Sequence, residues 1–190
     1  MKKLSCAVVL LVVLCFSSSG LAENGQPFTT DFPSLKRDLD GFKEVIQNTL
    51  LRNLLGPLPV LSMLGTYLPD YGAVFNVEGN LYEIRAISPF SQAPRTQKEL
   101  DDAYNAMLKR VESLRAQMLQ AMGDHGSKLE HLKPEETLAI VVHLFNGYDD
   151  PKRPVPTQMI FRVKKAAILE YQDKKITFDD FVKKIEINRL

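Results

Sequence analysis

The chain has no tryptophan and only two cysteines, Cys6 and Cys15, both among the first sixteen residues. The body beyond them cannot form a disulfide, and no thiolate is available there to hold zinc. No Asn-x-Ser/Thr acceptor occurs. Long apolar runs are also missing. The most extended, Ala7–Phe16 (AVVLLVVLCF), falls well short of the roughly 20 residues that cross a bilayer. Charge of one sign is missing as well, with 24 Lys and Arg against 23 Asp and Glu. Such a balance provides no field that would draw the chain to nucleic acid or an anionic membrane. Nor is there a Gly-x-Ser-x-Gly elbow, a Gly-x-Gly-x-x-Gly turn or a phosphate-cradling loop ending in Gly-Lys-Ser/Thr, which removes the commonest signatures of acyl transfer and nucleotide binding.

What is present begins with the leader. Lys2-Lys3 precedes the apolar run, and Ser17-Ser18-Ser19-Gly20-Leu21-Ala22 follows it. A positive start, a short apolar stretch and small residues make a secretory signal peptide, residues 1–22, with cleavage after Ala22. Leu14 directly before Cys15 is not the small residue that lipidation of that cysteine requires. Residues 23–190 then form one domain without cysteine. Cleavage also removes Lys2 and Lys3, leaving 22 basic residues against 23 acidic ones. Exported animal and plant domains usually carry disulfides, so this pattern points to a bacterial periplasm or exterior. No membrane span is expected after cleavage, and no nucleic-acid partner.

Periodicity outlines the domain. Asp31 can cap a helix carrying an early Pro33, and Leu35, Leu39, Phe42, Ile46 and Leu50 recur as one helical stripe closed by Gly56-Pro57. Residues 58–68, broken by Pro59 and Gly65, read as a buried, irregular approach to a turn at Pro69–Gly72. Ala73–Glu78 and Leu81–Ala86 alternate around Gly79-Asn80, which predicts a two-residue hairpin. In that register Phe75 faces Ile84 and Val77 faces Tyr82, with Ala73 and Ala86 on the same core side. Residues 88–94 read as a loop. Thr96-Gln97-Lys98-Glu99 is a capping box. The helix it opens runs to about Met122, with Leu100, Tyr104, Met107, Val111, Leu114, Met118 and Ala121 at alternating spacings of four and three. Leu138–Phe145 is a buried strand, residues 146–156 a loop, and Met159–Val163 its partner strand. A short helix at 165–172 and a last helix opened by Thr177, with Phe178, Phe181, Val182 and Ile185 on one side, complete the chain. The expected class is α+β: a small, mainly antiparallel sheet covered by two or three helices.

Candidate chemistry is sparse. Asp173–Asp180 resembles half of a calcium loop. However, Leu169 and Tyr171 stand where hard oxygens are needed, and Lys174 stands where a glycine should turn the chain, so no calcium site is expected. His125, His131 and His143 form no i, i+4 pair, and no metal or cofactor is expected. His125 and His131 read as surface residues and His143 as a packed core or edge histidine. As a general base, His143 would work with Asp149 or Asp150 across the strand end, the pair on which an exported hydrolase would rest. Asp101-Asp102 and Asp179-Asp180 are acidic pairs at helix starts, where they favour the helix dipole. The long helix admits two readings. Its seam of Met107, Leu114 and Met118 packs inside the domain, or it binds an envelope protein or a second copy of the chain.

The run Tyr67-Leu68-Pro69-Asp70-Tyr71-Gly72-Ala73-Val74-Phe75 resembles a YLPxYGxVF-type motif of uncharacterised exported bacterial proteins. In these a tyrosine–glycine turn opens a strand, followed by a long helix, more strands and a closing segment. The resemblance spans residues 60–185 and implies a small α+β envelope domain, with no established activity and no catalytic residues to carry over. Tyr71 and Gly72 mark its turn, where glycine permits a backbone approach that other residues resist. The expectation is a non-enzymatic envelope protein that binds another macromolecule.

Overall fold

The computed structural model describes residues 31–52, 58–81, 96–145 and 153–190. They build one compact unit, a five-stranded sheet with every described helix on one face.

Helix α1, Phe32–Leu51, starts at Asp31, whose Oδ1 accepts the Ser34 amide at 3.3 Å, and its whole predicted stripe from Leu35 to Leu50 is buried. Each such side chain contributes about 1.5–3 kcal/mol on burial. That outweighs the ~1 kcal/mol that Gly41 costs mid-helix. The stop signal at 56–57 lies outside the described residues, and the helix ends at Leu51.

The segment after α1 departs from expectation. Val60–Leu68 is a regular strand, β1, paired antiparallel with β2, Gly72–Asn80. The turn is Leu68–Tyr71: Pro69 presets its first corner, Asp70 takes a positive φ of 64°, and the Tyr71 amide donates to the Leu68 carbonyl at 3.1 Å. Gly79-Asn80 is therefore not a turn but the end of β2. Gly79 stands opposite Val60 of β1 and Leu144 of the next strand. The two glycines misdirect the reading because both make room for packing. A β-carbon on Gly65 would lie 2.8 Å from the Phe75 ring, and one on Gly79 would lie 2.7 Å from Leu58. The core side of β2 is nevertheless Ala73, Phe75 and Val77, all fully buried. The proposed partners Tyr82, Ile84 and Ala86 lie outside the described residues, as does the loop at 88–94.

Helix α2, Gln97–His125, has both bonds of the predicted capping box, Glu99 N–H to Thr96 Oγ1 and Thr96 N–H to Glu99 Oε2. It continues three residues past Met122 into a 3-10 turn, Gly126–Lys128. Strand β3, Thr137–Phe145, then pairs parallel to β2, from Gly72↔Thr137 to Asn80↔Phe145. A parallel return needs a long crossover, which α2 provides. Strand β4, Gln158–Lys164, folds back antiparallel on β3. Helices α3, Lys165–Gln172, and α4, Phe178–Lys183, follow, with Lys174 in the left-handed turn between them (φ 58°). A final strand that no periodicity announces, β5, Glu186–Arg189, adds to the outer side of β4. The sheet order is β1-β2-β3-β4-β5, antiparallel apart from the β2–β3 pair, so the class is α+β.

The core lies between the helices and one sheet face. The Phe42 and Phe75 rings approach to 5.0 Å, Gly65 abuts Leu39, and Gly126 abuts Leu138 and Ile168. Tyr171 stacks on Phe181 at 5.1 Å, and Gly123 sits under both rings.

Candidate functional site

The strand register determines what the other face displays. Three rows cross it: Ser62, Glu78, His143, Gln158; then Leu64, Asn76, Val141, Ile160, Asn188; then Thr66, Val74, Ala139, Arg162, Glu186. None of the described helices packs here. Leu64 is 62% exposed, Val74, Val141 and Ile160 are half-buried, and Ala139 is buried. The face thus has one polar row, Ser62 to Gln158, beside two rows that mix Leu64, Val74, Ala139, Val141 and Ile160 with polar side chains.

The first polar row holds His143. The Ser62 hydroxyl donates to Glu78 Oε2 at 2.9 Å, and the Gln158 amide nitrogen stands 3.5 Å from His143 Nδ1. His143 is therefore half-buried on the open face and not a core residue. Its cross-strand neighbour is Glu78. Asp149 and Asp150, the acids expected beside it, lie outside the described residues. In a nucleophilic triad the imidazole stands between acid and hydroxyl, whereas here the carboxylate stands between Ser62 and His143, so Ser62 is not activated. In the third row Arg162 pairs with Glu186 at 3.1 Å, while its buried Nε has no hydrogen-bond partner.

The helix seam is internal. Met107, Leu114 and Met118 are 5%, 1% and 0% exposed and belong to the same core as Phe42 and Phe75. They leave nothing for a partner or a second copy to grip, so the docking reading of that seam is corrected. β1 does expose apolar side chains: Leu61 and Leu68 are 61% and 46% exposed and flank Leu64. Sequence reasoning missed them because an irregular reading of residues 58–68 has no faces.

Tyr71 and Gly72 hold β1 and β2 against β3. Gly72 has φ 128°, and a β-carbon there would meet the Thr137 carbonyl oxygen at 2.2 Å. The Tyr71 carbonyl accepts the Thr137 amide at 2.7 Å, while the Tyr71 side chain is exposed. The pair acts through its backbone.

Near this corner lie three polar anchors that no motif signalled. The Tyr67 hydroxyl donates to buried Glu136 at 2.6 Å, and Glu136 Oε2 accepts the Lys133 amide at 2.7 Å. The bond to the carboxylate, with burial, pushes the Tyr67 hydroxyl up to about 12. Buried Lys165 donates to the carbonyls of Gly126, Ser127 and Leu129 at 2.9, 2.9 and 3.0 Å, and burial pulls its ammonium down to about 8. Asp38 Oδ2 receives both the backbone amide and Nδ1 of His131 at 2.9 Å. These residues join α1, β1 and the 126–137 segment. Partners 69 and 93 residues apart leave no local pattern to read. Among the described residues no group of three or more His, Cys, Asp or Glu could hold a metal, and no helix is long and apolar enough to cross a membrane.

No protein-family model, curated protein or solved structure matches the chain.

Proposed function

We propose that the chain is an exported bacterial envelope protein, cut after Ala22, which catalyses no reaction and binds another macromolecule through the sheet face that no described helix covers. Residues 1–22 support export by their charge, run length and small-residue end. One observation carries the binding reading: Leu64, Val74, Val141 and Ile160 stand on one sheet face beside the polar row of Ser62, Glu78, His143 and Gln158, with no described helix over them. Apolar side chains bordered by polar ones on an accessible face are the anatomy of a recognition surface.

The test is a photo-crosslinking residue at Ile160 on the face, and another at exposed Lys109 on α2, in cells exporting the protein. One covalent adduct of defined mass from position 160 alone is the expected result. Equal adducts from both positions, or none from either, would reject the face as the binding surface. An exported hydrolase working through His143 is the competing reading, favoured by the placement of His143 beside Glu78 on the same face. His143→Ala with unchanged stability and a lost phenotype would favour it. An intact phenotype would remove it.

A further inference from the structure

We infer that β1 is the dimerisation edge of this protein, where two copies pair their β1 strands antiparallel about a twofold axis at Leu64 and join their sheets into one.

The strand has the composition of a pairing edge. Val60–Leu68 (VLSMLGTYL) contains no charged residue and no proline, and β1 bonds only to β2 among the described strands. Soluble domains usually blunt such edges with charge, proline or brevity, because an unpaired edge is a template for another strand. The one device here is a register break at Leu61, which leaves Ser62–Leu68 regular.

Several features then single out a second copy as the occupant. An isologous pair sets every residue against its counterpart, so a charged strand would meet its own charge. β1 meets none. Pairing about Leu64 places Leu64 against Leu64 and Ser62 against Thr66 on the open face, an apolar pair flanked by hydroxyl pairs. On the core side it places Met63 against Gly65, large against small. Thr–Ser and apolar cross-strand pairs of this kind are favourable. Pro59 and Pro69 fall opposite each other at the two ends and limit the pairing to the uncharged stretch. Beyond them Asp70 meets Leu58, so no like charges are apposed. The exposed leucines at 61, 64 and 68 are the side chains that such a junction would cover. The open faces of the two copies would run on continuously.

The test is the mass of the purified chain by light scattering over a concentration series, for the wild type, Leu64→Lys, Leu64→Glu and an equimolar mixture of the two variants. The wild type is expected to reach twice the chain mass. Each variant alone should dissociate at least about tenfold more readily, because the axis apposes two like charges. The mixture should recover the dimer, since it apposes opposite charges. Circular dichroism checks the fold of each variant, and Ser62→Lys with Thr66→Lys, which face each other across the axis, repeats the test at a second pair of positions. A wild type still monomeric at about 100 μM, or a dimer indifferent to both charge variants, overturns the inference. The chain is measured alone, so failure here leaves the crosslinking result at Ile160 untouched, and the reverse also holds.

Discussion

β1 closes one side of the sheet with nine residues and no charge, whereas β5 closes the other with four residues, two of them charged. Glu186 of β5 pairs with Arg162 at 3.1 Å, and Arg189 reaches across to Glu112 of α2 at 2.9 Å. Leu190, which follows β5, exchanges backbone bonds with Gln158. Brevity and charge are the ordinary means of keeping a strand edge from recruiting another. One edge of this molecule has them and the other lacks them. Leu61, Leu64 and Leu68 stay exposed along the uncharged edge, while the long helix, which carried the most conspicuous apolar seam, spends that seam in the core.

The contrast can be broken most forcefully at the corner that holds β1. Gly72→Ala should cost about 3 kcal/mol of folding stability, since it puts a β-carbon at φ 128° against the Thr137 backbone. A chemical denaturation midpoint close to wild type would show that β1 is not anchored there.

Next in size is the anchor found on each side. Lys165, which follows β4, has a folded value of about 8 against an ordinary 10.5. Its burial cost is fully present below pH 8 and is relieved as pH rises towards 10.5, so stability should climb across that window. Tyr67 on β1 has the opposite sign. Its contribution is complete below pH 10 and is lost as pH rises through about 12. Denaturation curves from pH 7 to 11 should rise and then fall. Lys165→Met should remove the rise, and Tyr67→Phe should soften the fall. A Lys165→Met profile parallel to wild type would contradict the assignment.

A smaller effect on stability, but a visible one on assembly, should follow from making β5 resemble β1. Glu186→Val with Arg189→Val removes two exposed ion pairs, worth roughly 0–1 kcal/mol each. Where β1 already joins two copies, a second uncharged edge creates a second self-complementary junction, and growth becomes open-ended. The scattering mass should keep rising with concentration in the double variant and level off at the dimer in the wild type. The smallest effect is expected for Leu64→Lys on the folded monomer. That side chain is 62% exposed, so its thermal stability should stay within about 0.5 kcal/mol of wild type. A larger loss would mean that Leu64 is covered within its own chain.

Much of the architecture was legible because it is local. The α1 stripe, the Thr96–Glu99 capping box, the α3 and α4 segments, and the alternation of Ala73, Phe75 and Val77 all arise from neighbours within a few residues. β1 was obscured because Gly65 and Gly79, ordinarily read as breaks, answer to Phe75 and Leu58. The candidate face was illegible for a related reason. Its rows join residues from five strands, and a row exists only once the register does.

By itself the sequence determined the periods, caps and turn residues, and with them the class of the domain and the inward side of β2 and α2. Only the tertiary structure decided that β2 runs parallel to β3, that β5 exists, that the seam of Met107, Leu114 and Met118 is internal, and that β1 is left as an uncharged edge. The physical reason is that a period states which side chains share a face. What lies against that face is decided by backbone pairing and packing between residues far apart in the chain.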